Sequence, residues 1–281
     1  MSGQYKVAWL CEALLVSRSG YYHWAERRRQ PSPRQLENIH LRERIRAEFA
    51  RSRQTYGSPR LARALGYPGR RNRIARLMRA ERIFARQRSK YRPRTTDSCH
   101  GGPIAPNRLP KLTVDRPDQA WVTDATCILT AQGWLYLVAV LDLHTRRVIG
   151  WAMHQILDAR LVIAALRMAL LQRRPSRPLI IHSDRGMQFA SAAYRQVLAE
   201  HGLIASMSRK ANCYDNAFIE SFWSSLKYEV VYHQRFATFA EARNAIFNYI
   251  ETFYNRTRLH SSLAYRSPIA FESQLNLNHR N

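Results

Sequence analysis

Hydrophobic positions recur with a helical rhythm in the front of the chain and with a strand-like one from residue 119 onward. In residues 5–28, Val7, Leu10, Leu14 and Leu15 precede a turn. Ser17 is placed to cap a second helix carrying Tyr21, Tyr22 and Trp24, which predicts a helical hairpin over residues 1–30. Pro31 and Pro33 break that pattern before a longer helix near 35–52, where Ile39, Ile45 and Phe49 stand among alternating charges. Beyond Tyr56-Gly57-Ser58-Pro59, helices at 59–65 and 71–83 flank Gly66-Tyr67-Pro68-Gly69, the layout of a helix-turn-helix within residues 35–85. The second of these helices would turn Ile74, Leu77 and Met78 inward and present Arg70, Arg71, Arg73, Arg76 and Arg79 to DNA. An arginine-rich helix of an ordinary bundle is the competing reading, because that spacing is a weak signal on its own.

Residues 86–118 hold Arg86, Arg88, Lys90, Arg92 and Arg94 with several prolines and little apolar periodicity, and read as a basic linker. Tracking of a DNA backbone and plain disorder both fit it. The stretches 120–129, 134–142 and 146–153 are rich in Trp, Val, Ile and Leu and are divided by Gln132-Gly133 and His144-Thr145, as in a three-stranded antiparallel meander. A helix over 158–173 capped by Asp158, a buried strand at 178–182, a helix over 191–201 ended by Gly202, and a strand at 203–207 follow. Helices at 215–231 and 238–255 complete the chain, the last with a capping box from Thr238 and Glu241. The expected fold is α/β, a mixed five-stranded sheet flanked by helices behind an all-α region, with a core at 119–235 and a helical extension at 236–281.

Charge sharpens this picture. The 281 residues carry a net +25, of which +18 falls in residues 1–115 and +7 in residues 116–281. So strong a positive field calls for a polyanion, and nucleic acid is the obvious one. Nearly all of that charge is arginine, whose planar fork suits phosphates and guanine edges. Cys11, Cys99, Cys127 and Cys213 form neither a CxxC pair nor a zinc spacing, which fits a reduced, cytoplasmic protein. No apolar run nears the ~20 residues a membrane span needs, and Met1-Ser2-Gly3-Gln4 lacks a signal-peptide pattern.

Aspartate is unfavourable inside strands, yet Asp124 falls within the first one, in WVTDAT. Asp184 ends a second buried strand in HSDRG, where Gly186 would let the chain turn sharply. On a projection of about 100° per residue, Asn216, Glu220 and Lys227 share one stripe while Phe218, Phe222 and Leu226 cluster opposite. Three carboxylates from two strands and a helix could hold two hard cations, Mg²⁺ or Mn²⁺ rather than zinc, for in-line displacement at phosphorus. Lys227, two turns from Glu220, would meet a phosphate beside the scissile bond. Around the acids, Arg185, Arg209, Lys210 and Asn216 are further candidates for DNA contact. Each acid also has a plainer reading: Asp184 as a loop cap, Glu220 as a partner of Arg209 or Lys210, and Lys227 as a surface residue. Asp142, Asp158 and Asp215 compete as carboxylates, Asp158 being better explained as a helix cap.

The segments WVTDATCI, GWLYLVAVLDLHTRRVIGWAM, IIHSDRGMQF, SMSRKANCYDNAFIESFWSSLKYE and YNRTRLHSSLAYRSP resemble the insertion-sequence-three transposases, in particular their second reading-frame product (OrfB), with a retroviral-integrase-like core. The 35 residues between Asp184 and Glu220 match the spacing of that family's DDE triad, and Lys227 matches the basic residue after its glutamate. VSRSGYYHW and YGSPRLARAL resemble its N-terminal segments, so the likeness spans nearly the whole chain. It implies a ribonuclease-H-like fold, Mg²⁺ dependence, and cutting and joining of double-stranded DNA at the ends of a bacterial mobile element. It further implies a homo-oligomer on DNA and a frameshift fusion with an upstream reading-frame product (OrfA), in the bacterial cytoplasm at the nucleoid. Two departures stand out: the Gly66–Gly69 link is shorter than usual, and Ala264 stands where glycine is common. The alternatives are a non-catalytic DNA-binding regulator of element ends, which has no need of three converging acids, and a nuclease on RNA–DNA hybrids, against which the basic front half argues.

Overall fold

The computed structural model describes residues 6–29, 32–85, 102–175, 178–209 and 217–278. The chain divides into two compact units, residues 1–85 and 86–281. Lys210, Asp215, Asn216 and the arginines of 86–94 lie outside the described residues.

The first unit is helical: α1 (Val7–Ala13), α2 (Arg18–Arg29), α3 (Pro33–Arg51), α4 (Ser58–Ala64) and α5 (Arg71–Ala80). Ser17 Oγ accepts the Gly20 amide at 3.0 Å, so the expected cap forms at the start of α2. A full capping box opens α3, with Ser32 and Gln35 each accepting the other's backbone N–H. The core is built from Leu41 and Ile45 on α3, Leu61 and Ala62 on α4, and Ile74, Leu77 and Met78 on α5. Gly66, at φ +82°, ends α4 in a left-handed conformation that a side chain would strain. Arg44 reaches across from α3 to donate to the Leu65 carbonyl at 2.9 Å, satisfying a C-terminal carbonyl that the helix leaves open.

The second unit is a five-stranded sheet in the order β3-β2-β1-β4-β5, from β1 (Ala120–Thr130), β2 (Gly133–Asp142), β3 (Val148–His154), β4 (Leu179–Ser183) and β5 (Leu203–Met207). The first three strands are antiparallel and the last two run parallel to β1. This is a ribonuclease-H-like sheet. Trp121, Val138, Val140, Ile149 and Ile181 pack with Leu166 and Ala169 of α6 (Ala159–Arg173) and with Tyr194 of α8 (Ala192–Glu200). Since side chains alternate along a strand, the even positions of β1 point the other way, toward α9 (Ala217–Glu229) and α10 (Phe239–Phe247).

Gly150 explains how close α6 lies to the sheet. A Cβ there would stand 2.3 Å from the Ala165 carbonyl and 2.7 Å from the Ala169 amide, so only hydrogen fits between strand and helix. Asp142, at the end of β2, is fully buried and accepts from Asp118 N, Thr145 N and Thr145 Oγ1 at 2.7–2.9 Å. It fastens the β2–β3 turn. Asp158 caps α6 by accepting from Leu161 N at 3.0 Å.

Several elements differ from the sequence expectation. A one-turn helix, α7 (Met187–Ala190), precedes α8. The last predicted helix begins as α10 but widens into a π-helical stretch over Asn248–Tyr254, and a further helix, α11 (Pro268–Asn278), follows. The capping box at Thr238 is only half formed, because Glu241 Oε2 accepts from Ala237 N instead of Thr238 N. Asn255, at the end of the π-helical stretch, bonds both ways to Val148, as a neighbouring strand would (Oδ1 from N at 3.0 Å, Nδ2 to O at 2.9 Å). That closes part of the exposed edge of β3. Arg258 and Glu229, both buried, pair at 2.7 Å, and Tyr249 adds its hydroxyl at 2.9 Å. This pins the end of α9 to the C-terminal segment. Glu272 on α11 holds Arg147 at 2.9 Å and Arg173. Residues 236–278 are therefore built into the core unit, and residues 102–118 also touch it: Ala105 packs on it and Arg108 N donates to Ser206 Oγ at 2.9 Å.

Candidate active site

Strand register brings the two aspartates together. Val122 pairs with His182 across the parallel β1–β4 ladder, and two residues further along both chains are Asp124 and Asp184. Parallel neighbours lie about 5 Å apart. Both positions are even steps from the paired residues, so both carboxylates lie on the α9 face of the sheet. Asp184 falls just past the end of β4, half-buried, and its Oδ1 accepts the Gly186 amide at 2.9 Å. Gly186 has φ −62°, an ordinary value, so no left-handed turn calls for glycine there. An added Cβ would meet the Gln188 side chain at 2.5 Å and Asp184 Oδ1 at 3.0 Å.

Asp124 is held from two sides. Its Oδ1 accepts the Ala125 amide at 2.8 Å, and its Oδ2 accepts Trp223 Nε1 from α9 at 3.0 Å. Burial pushes its carboxyl up to about 7; Asp184 and, more weakly, Glu220 push it in the same direction, against the pull of the two hydrogen bonds. All three acids thus share one electrostatic neighbourhood. Glu220 stands exposed in the first turn of α9. Among the described residues no three His, Cys, Asp or Glu side chains are gathered within reach of one metal ion.

α9 is anchored by Ile219, Phe222, Trp223 and Leu226, all buried. Phe218, expected among them, is 42% exposed and lies under the Arg146 guanidinium, 3.9 Å from its ring centre. The helix is therefore buried over Ile219–Trp223, about one position further round than the projection suggested. Lys227 sits half-buried in the last turn. Arg185 Nε donates to the Ser208 carbonyl at 2.8 Å, and Arg209 is exposed. Trp223 is the contact that sequence reasoning missed: it reads as one more aromatic of the buried stripe, and only the fold shows its N–H aimed at Asp124.

In the front unit, Arg70, Arg71, Arg76 and Arg79 of α5 are exposed. Arg73 is not. Its guanidinium bonds to Glu37 at 2.9 Å and Asn38 at 2.8–3.0 Å, with the side chain 9% exposed. It serves as a brace between α5 and α3.

A sheet of this order with two aspartates abreast in it belongs to the integrase-core class, and family comparison agrees. Residues 114–213 and 220–275 match integrase core domains, and residues 35–91 match an HTH-like domain. The insertion element IS600 31 kDa protein of Shigella sonnei is 43% identical over 269 residues, covering 94% of this chain and 98% of that one. The transposase InsF for insertion sequence IS3A of Escherichia coli K12 is 41% identical over 275 residues, covering 96% and 95%. Among solved structures, the chain is similar to one from the simian T-cell lymphotropic virus intasome (TM-score 0.48, 15% identity, 74% of this chain and 69% of that one). It is also similar to the HTLV-2 integrase catalytic core domain (TM-score 0.42, 14% identity, 56% and 97%). The chain belongs to the IS3 family of transposases, enzymes of polynucleotidyl transfer. Among the described residues no helix is long and apolar enough to cross a membrane.

Proposed function

We propose that Asp124, Asp184 and Glu220 hold two divalent cations, Mg²⁺ or Mn²⁺, and that the protein uses them to cut and join DNA strands at the ends of an insertion sequence. The observation that carries this is the parallel β1–β4 register, which sets Asp124 beside Asp184, with the Asp124 carboxyl pushed up to about 7 by burial and by the two other acids. Perturbation of that kind marks a site arranged for chemistry at an energetic cost to the fold. The donor set fits the ions. All three groups offer hard oxygen, and each Asp124 oxygen, having accepted one hydrogen bond, keeps a lone pair for a cation. When bound, a pair of such ions supplies charge to activate the attacking oxygen and to stabilise the leaving one.

The chain's own groups do the positioning. The Ala125 amide and the Trp223 indole fix the plane of the Asp124 carboxylate. The buried face of α9 (Ile219, Phe222, Trp223, Leu226) pins the helix, leaving Glu220 in its first turn and Lys227 in its last turn off that face, and Lys227 neutralises a phosphate next to the scissile bond. Water attacks when a strand is cut, and a DNA 3′-hydroxyl attacks when strands are joined, so no protein–DNA covalent bond forms. Arg185, Arg209, Lys210 and Asn216 contact the DNA, as do Arg70, Arg71 and Arg76 of the front unit. Joining two ends requires at least two copies on DNA. The upstream reading-frame product, as partner or frameshift fusion, supplies end recognition at the bacterial nucleoid.

The test uses labelled element ends with Mn²⁺. Asp124→Asn, Asp184→Asn and Glu220→Gln should each abolish nicking and joining while gel-shift binding persists. Wild-type activity in those variants would end the reading. Lys227→Ala should slow strand transfer without lowering Tm.

A further inference from the structure

The arginines of the front unit fall into two groups. One group is spent on the fold: Arg73 is bound to Glu37 and Asn38, and Arg42 and Arg46 both pair with Glu81. The other group is not. Arg34, at the start of α3, and Arg70, just before α5, are exposed, and their side chains make no hydrogen bond or ion pair among the described residues, only longer-range attraction to Glu37. These two, with Asn72 and the Arg73 brace, line a notch of about 480 Å³ together with Pro33, Glu37 and Gly69. Three guanidinium groups there face a single carboxylate, and Arg73 already neutralises most of that one.

The backbone adds to this charge. Pro33 and Arg34 of the first turn of α3 and Asn72 and Arg73 of the first turn of α5 line the notch, and neither first turn contains an acidic side chain. α5 has no side-chain cap, so its start contributes partial positive charge and amides without an intrahelical acceptor, whereas the start of α3 is closed by Pro33 and the Ser32–Gln35 box and adds mainly its dipole. At Gly69 an added Cβ would meet nothing within 4 Å, so the notch is open beside it.

We infer that this notch is a seat for one phosphate of the DNA backbone, gripped by Arg34 and Arg70 beside Asn72, with Arg73 acting only as the brace that ties the two helices together. The inference rests on reading the front unit as DNA-binding, and it assigns a role to Arg34, which lies outside the reading helix. It also divides the arginines of α5 by task. Arg70 anchors the backbone and carries no sequence information, which leaves base edges to the exposed face further along the helix.

The test is equilibrium binding of the full chain, followed by fluorescence anisotropy between 50 and 200 mM NaCl on two labelled duplexes, an element end and an unrelated sequence. For Arg34→Ala combined with Arg70→Ala, affinity should fall by the same factor on both duplexes. The slope of log K against log salt should become shallower by about one or two. Arg34→Lys should keep most of the wild-type slope. Inorganic phosphate at 20 mM should compete no better than sulfate at equal ionic strength, which separates a duplex-backbone seat from a site for the free ion. Arg73→Ala should instead lower Tm. An unchanged salt slope in the double variant with Tm intact, a loss confined to the element end, or selective competition by free phosphate would each overturn the inference. Arg76→Ala combined with Arg79→Ala in the same assay should also weaken binding if the front unit binds DNA at all, so failure of the notch and failure of the front-unit reading are told apart.

Discussion

Asp124→Asn should make the metal-free protein more stable while destroying its activity. In the folded chain the Asp124 carboxyl titrates near 7, because burial and the neighbouring acids Asp184 and Glu220 disfavour its charge. Raising a carboxyl that far above its ordinary value corresponds to roughly 4 kcal/mol against the ionised form. Asp124 is only half-buried, so solvent screening reduces this by about a third to a half. The substitution also loses a contact. An asparagine oxygen can accept from Trp223 Nε1 or from the Ala125 amide, but its NH₂ then faces a donor, at a cost of about 1 kcal/mol. The net gain is about 1–2 kcal/mol, which for a unit of this size raises Tm by about 2–8 °C.

The pH dependence has a definite sign. Folding raises this pKa, so between about 4 and 7 the folded state binds more protons than the unfolded one, and wild-type stability falls as pH climbs through that window. The advantage of the variant should therefore be present at pH 8 in EDTA and vanish near pH 4. The assay is differential scanning fluorimetry of both proteins from pH 4 to 8, in EDTA and in 5 mM Mn²⁺. Added Mn²⁺ should raise the Tm of the wild type and much less that of the variant. A Tm difference that is absent or negative at pH 8, or one independent of pH, would refute the claim that the acids strain one another.

Other expectations follow from single contacts. Trp223→Phe removes a donor that favours ionised Asp124, so the acid limb of the pH–rate profile for Mn²⁺-dependent nicking should move to higher pH. Gly150→Ala forces a methyl into the 2.3 Å gap before the Ala165 carbonyl and should cost about 3 kcal/mol or more, read by urea denaturation. Ala264 sits at φ +52°, ψ +39°, where a Cβ is strained, so Ala264→Gly should gain about 0.5–1 kcal/mol by the same measurement.

The sequence alone carried the element order, because periodicity is a local property. Alternation along residues 120–142, the helical stripe through Ile74, Leu77 and Met78, and the caps at Ser17 and Asp158 need only near neighbours to be read. It also marked the candidate acids, since an aspartate inside an apolar strand is unfavourable enough to stand out. Ala264 was visible as an oddity too, but only its left-handed backbone gives the reason glycine is preferred there.

Tertiary structure decided what depends on residues far apart in the chain. Parallel pairing of β1 with β4 sets Asp124 abreast of Asp184, and no local pattern encodes that register. The bonds from Trp223 to Asp124, Asn255 to Val148 and Arg258 to Glu229 span 99, 107 and 29 residues, and their donors look like ordinary aromatic or polar positions in sequence. Arg73 and Arg70 are alike on a helical projection, yet one is buried against Glu37 and the other is open to solvent. Charge and period can be summed along the chain, whereas the partner each charge finds is fixed only when distant segments pack.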